Sequence, residues 1–202
     1  MEHKGDYGCD YKSHPPLDHS KSVNDFKSMG IPILAPYLGD SRKSMNMGEF
    51  TVKPFDLTTV DGRWTHTDAN GEPCPIYGFL ITHEEMGRML YITDCELIKW
   101  KFRDINHILL GVNYDKDLVD KDNDPKTRHV FRGHLSIDTA CDFVKANYSD
   151  SLQNVIMCHL SSENSDRDSF IEKMKNAVNG ANVDVAERNK EWVLRKGDEP
   201  QF

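Results

Sequence analysis

Two short apolar runs in this chain end abruptly on residues that prefer water. Leu90-Tyr91-Ile92-Thr93 runs into Asp94, and Val155-Ile156-Met157-Cys158 runs into His159. Runs this short, bounded by polar residues and rich in β-branched or aromatic side chains, read as buried strands. A polar residue that follows a buried strand emerges at the rim of a sheet. Strands that share a rim can bring a carboxylate and an imidazole together there. A fold whose core strands share a rim would deliver Asp94 and His159 to one edge.

The remaining pattern fits around those two strands. Residues 76–81 form another apolar run, with 88–92 as its hairpin partner across a turn at 84–87, and residues 107–112 form a further run. Residues 50–57 alternate enough for a strand, and 31–35, 183–186 and 192–194 read as short ones. Ser136 can cap a helix over 137–147, in which Ile137, Ala140 and Val144 share a face. Ser165 can cap a second over 166–178, with a stripe of Phe170, Met174, Ala177 and Val178. A short helix over 21–29 would end at Gly30. Residues 61–75 and the acidic stretch 115–125 read as loops. Strands alternating with helices give α/β layers.

Composition removes several classes of function. With 33 Asp and Glu against 25 Lys and Arg, the net charge of -8 opposes a broad electrostatic footprint for nucleic acid. No apolar run approaches the roughly 18 residues of a membrane span. Met1-Glu2-His3-Lys4-Gly5-Asp6 lacks the apolar core of a secretory signal. The five cysteines are scattered without a C-x-x-C pair, which fits a reducing cytoplasm better than a disulfide framework or a zinc ribbon. Cys95 and Cys158 read as small packing residues.

The chemistry gathers in a few places. Ser13-His14-Pro15-Pro16-Leu17-Asp18-His19-Ser20 offers two imidazoles and a carboxylate in one turn, to set beside Asp94 and His159. Imidazole and carboxylate suit zinc or manganese, and a catalytic centre leaves one position open. No Ser-His-Asp spacing supports a serine nucleophile at Ser136 or Ser161.

These motifs resemble the metallo-β-lactamase fold superfamily, in the phosphodiesterase and nuclease branch of tRNase Z-like and YycJ-like proteins. The branch carries T-H-x-H-x-D-H, matched here by residues 13–19. A bridging T-D matches Thr93-Asp94, a later G-H-x-S matches Gly133-His134-Leu135-Ser136, and a strand followed by H-L-S matches His159-Leu160-Ser161. Asn113-Tyr114 and residues 162–166 also resemble the YycJ-like proteins. The resemblance runs from about residue 9 to residue 187.

The resemblance implies an α/β fold, a truncated αββα sandwich with mixed sheets flanked by helices. It implies one such domain over residues 1–202, without the usual N-terminal strands, because only thirteen residues precede His14. The sheet would then keep an apolar edge or face, for a second copy or a partner chain to cover. A truncated gene product or a rearranged fold would account for the same short N-terminal part. The implied activity is a metal-dependent hydrolase in which metal-bound hydroxide attacks a phosphodiester of nucleic acid or nucleotide. Asp18, His19 and His159 would hold the second metal, Asp94 would be shared, and His14 would remain for the first. His134 would protonate the leaving oxygen, and Asp18 counts beside it among the catalytic residues. The sequence departs from the pattern at Pro16, which has no ligand atom, and at Thr59 and Val60, where a histidine is expected. One zinc or manganese per chain is the expectation. A catalytically inactive binding or regulatory module is the alternative.

Overall fold

The computed structural model describes residues 43–58, 76–119 and 133–197, together with 28–29, 62–63, 66–67, 73–74 and 131. The expected strand at 31–35, the turn at 13–20 and nearly all of the helix at 21–29 lie outside the described residues. In chain order the strands are β1 (Met45–Met47), β2 (Phe50–Asp56), β3 (His66–Thr67), β4 (Pro73–Cys74), β5 (Tyr77–His83), β6 (Gly87–Ile92) and β7 (His107–Gly111). Helix α1 (Ile137–Ala146), β8 (Asn154–Cys158), α2 (Arg167–Lys175) and β9 (Asn182–Val185) follow.

Seven strands form one mixed sheet in the order β1-β2-β5-β6-β7-β8-β9, and β3 and β4 pair separately. The first four are antiparallel neighbours, and β6 through β9 run parallel. Parallel neighbours need a crossover, and successive crossovers of one hand put their helices on one face. The core follows from this. Leu90, Ile92, Ile108, Leu110, Val155 and Met157 pack with Ile137, Val144, Phe170 and Met174 in one cluster.

The opposite face carries a second apolar row, because successive side chains alternate in direction. Pairing sets Phe79 beside Tyr91, Tyr91 beside Leu109 and Leu109 beside Ile156. The first three are half-buried and Ile156 is buried. At the β1–β2 edge, Met47 and Phe50 are exposed.

Several elements differ from the sequence reading. The β1–β2 hairpin turns on Gly48 and Glu49, with Gly48 at φ 63° and Met47 opposite Phe50. Sequence reasoning missed this two-residue glycine turn, although its residues suit one. Pro54 sits inside β2, where β1 no longer pairs and no ladder donor is needed on that side. The expected loop at 61–75 holds β3 and β4, and residues 192–194 are not a strand. Asp166, not Ser165, caps α2 by accepting from the Ser169 amide at 2.7 Å. The Ser165 hydroxyl is committed to the Ser161 carbonyl instead. The helix ends at Lys175, and a tighter turn carries the chain on, with the Ala177 amide donating to Met174 O.

At the start of β7, His107 is buried and its ring is saturated. Nε2 donates to the Met86 carbonyl at 3.0 Å, and Nδ1 accepts from Asn154 Nδ2 at 2.9 Å. Burial lowers its pKa, against the opposing pull of backbone groups of Met86 and Arg195. The unfolded chain takes up this proton near 6.5, while the folded chain resists it to lower pH. The contribution to stability is thus complete above that value and is lost as the pH falls below it. Urea midpoints should therefore drop from about pH 7 to about pH 5.5 by less in His107→Gln than in the native chain. An identical drop in both would show that His107 titrates freely.

Candidate metal centre

Because β6, β7 and β8 are parallel, the residues after each of them open on one edge of the sheet. Asp94 lies just past β6 and His159 directly follows β8. Both adopt left-handed backbone, at φ 57° and 60°. Aspartate and histidine enter this region more readily than most residues, but each such position still costs on the order of 1–3 kcal/mol. Two of the four non-glycine residues described with positive φ are these two. Half of these positions are thus the strand ends that bear the chemistry.

Gly111 ends β7 between them. A Cβ there would stand 3.0 Å from Thr93 Cα and 3.3 Å from Thr93 Cβ. The missing side chain lets Thr93 lie against β7, which sets the point from which Asp94 departs.

The carboxylate and two imidazoles converge. Asp94 Oδ1 is 3.2 Å from His159 Nε2 and 3.7 Å from His134 Nδ1. The two rings stack, with centroids 5.1 Å apart and planes inclined by 27°. One ligand atom from each of Asp94, His134 and His159 lies within 4.8 Å of the other two. The Asp94 side chain is 3% exposed, that of His134 13% and that of His159 41%. The cluster is anchored in the interior at the carboxylate and open to solvent at His159.

His134 arrives by a different route, from the segment that enters α1. His-Leu-Ser occurs at 134–136 and again at 159–161. The two copies flank Asn113 on either side. The Asn113 amide donates to Leu135 O, and its carbonyl accepts from Ser161 N, both at 2.9 Å. Ile137 N donates to Tyr114 O and Asp115 N to Asn164 O, so residues 112–115 stitch the His134 and His159 segments together. Lys173 of α2 anchors the end of this stitch at 2.6 Å from Asp115 Oδ2. Burial pushes the Asp115 carboxyl up, but the hydrogen bonds from Lys173 and the Asp117 amide outweigh it and leave the pKa below the usual value.

Neither serine serves as a nucleophile in this geometry. Ser136 Oγ caps α1 by accepting from Thr139 N at 3.3 Å, and Ser161 Oγ accepts from the amides of Glu163 and Asn164. Burial, with the Asp94 charge adding to it, pushes the Cys95 thiol up to about 12 and that of Cys158 up to about 11. Both stay protonated, as packing residues do.

Of the residues singled out from sequence, the structure brings together Asp94, His134 and His159. His14, Asp18 and His19 lie outside the described residues, as do Pro16, Thr59 and Val60. Sequence reasoning missed Gly111 and treated Asn113 only as a signature. The signal for Gly111 was its place at the end of an apolar run, on the strand between those that lead to Asp94 and His159. Among the described residues no helix is long and apolar enough to cross a membrane.

No protein-family model matches the chain, and no curated protein matches it. Among solved structures it is similar to the metallo-beta-lactamase fold protein YhfI from Bacillus subtilis, at 13% identity and a TM-score of 0.49, over 83% of this chain and 58% of that one. It is also similar to a diphosphatase from the PhnP family, at 11% identity and a TM-score of 0.46, over 79% of this chain and 50% of that one. The chain thus spans between half and three fifths of the length of these structures.

Proposed function

We propose that this chain is a metal-dependent hydrolase of phosphodiesters, in nucleic acid or nucleotides, that loads one zinc or manganese ion. The observation that carries the reading is the mutual approach, within 4.8 Å, of ligand atoms on Asp94, His134 and His159. One carboxylate and two imidazoles are a fitting donor set for either metal. Bound there, a divalent cation would offset phosphoryl charge and lower the pKa of coordinated water. The buried Asp94 carboxylate would supply the fixed negative charge, and the exposed His159 side leaves room for a substrate. His134 is read here as a donor, since its Nδ1 faces the same point as the carboxylate, ahead of the role of general acid that the sequence resemblance implies. Asp18, His19 and His14 would complete the set from the N-terminal turn. The phosphodiester part of the reading rests on the resemblance of Gly133-His134-Leu135-Ser136 and Asn113-Tyr114 to the phosphodiesterase branch.

The test is reconstitution. Protein stripped by chelator and reloaded should hold about one zinc or manganese per chain by elemental analysis. It should hydrolyse bis(p-nitrophenyl) phosphate, and His159→Ala should abolish that turnover. No bound metal after reloading would leave the inactive binding module. Turnover untouched in His159→Ala would reject the site.

A further inference from the structure

We propose that Asn113 is a positioning residue, which fixes the nitrogen that His159 turns toward Asp94 and the place of its ring proton. Asn113 is buried, and its backbone is held on both sides by the two His-Leu-Ser segments. Its side-chain Nδ2 donates to the His159 carbonyl at 2.9 Å. A carbonyl oxygen only accepts, so the amide must turn its nitrogen, not its oxygen, to that side. The same nitrogen stands 3.3 Å from His159 Nδ1. An amide nitrogen only donates, so Nδ1 must offer a lone pair. A neutral ring with a bare Nδ1 carries its proton on Nε2, and Nε2 is the atom 3.2 Å from Asp94 Oδ1. The carbonyl and the amide therefore leave a single neutral tautomer. The ring needs such a device, because the His159 side chain is 41% exposed.

The inference rests on the proposed metal reading in one respect only. To serve as a ligand to a cation, Nε2 would have to give up its proton. A neutral ring then takes up one from water at Nδ1, where it meets the Asn113 N–H groups donor to donor. For Nε2 to serve a cation, the Asn113 amide would have to turn so that Oδ1 accepts from Nδ1–H and the His159 carbonyl is released.

The experiment is long-range proton–nitrogen correlation on the full, metal-free, labelled chain at about pH 8, where an unperturbed imidazole is neutral. The His159 signals are assigned with His159→Gln. The native chain should show Nε2 protonated and Nδ1 bare. Asn113→Asp, which accepts where Asn113 donates, should move the proton to Nδ1, and Asn113→Leu should give a mixture. A native ring protonated at Nδ1, or a tautomer indifferent to residue 113, would overturn the proposal. The native spectrum decides the first point even if a variant does not fold. Titration with zinc should then shift the Asn113 side-chain amide and the His159 ring together. If zinc does not bind, the metal reading fails while the tautomer assignment is still read directly.

Discussion

Asp94→Asn should empty the centre of metal while leaving the fold intact. The substitution keeps the size of the side chain, and asparagine accepts left-handed backbone as well as aspartate does. What it removes is the one negative charge in a group whose other described donors are imidazole nitrogens. Loss of an outer-shell partner typically costs a metal site about 10- to 100-fold in affinity or activity, and loss of this inner donor should cost more than that. Elemental analysis should find no retained metal, and turnover of bis(p-nitrophenyl) phosphate should fall by more than about 100-fold. Circular dichroism should remain native. A variant that still loads metal in full would move the centre away from Asp94.

The largest loss of stability should come from Phe170→Ala. Phe170 is fully buried on α2, within the cluster that joins both helices to the parallel strands. Truncating a buried phenylalanine to alanine costs about 3–5 kcal/mol, through lost transfer energy and the cavity left behind. For a chain of this size each kcal/mol lowers the melting temperature by about 2–4 °C, so a fall of roughly 10 °C is expected by calorimetry. The effect should reach the metal centre, because α2 also carries Lys173 to Asp115 and so holds the end of the stitch at 112–115. Metal affinity should weaken before the protein melts. A loss of stability below about 1 kcal/mol would mean that the helix layer contributes little.

The parts of this fold legible in sequence are those governed by local rules. Ser136 marks the start of α1, and the apolar runs mark β5 to β8, because capping and burial act within a few residues. The meeting of Asp94 and His159 was legible in part, since a strand end is a local feature, whereas the parallel order that gives the two ends a shared rim is set by the tertiary structure. His134 was harder to place. It precedes a helix, and the stitching of Leu135 and Ile137 to Asn113 and Tyr114 carries it to the same rim. Asn113 itself was opaque, since nothing near it in the chain tells that its amide bridges to a residue 46 positions away. The cap at Asp166 was misread by one residue because two adjacent polar side chains compete, and the tertiary bond of Ser165 to Ser161 decides between them.

The parallel run from β6 to β9 also orders events during synthesis. A nascent chain that has left the ribosome only as far as α1 already carries Asp94 and His134, but not the strand that brings His159 beside them. The three donors cannot meet until β8 has inserted next to β7, and α2 and β9 come later still. Were the cluster to hold a cation, its capture would be a late event, and in the cell it would report that the sheet has closed.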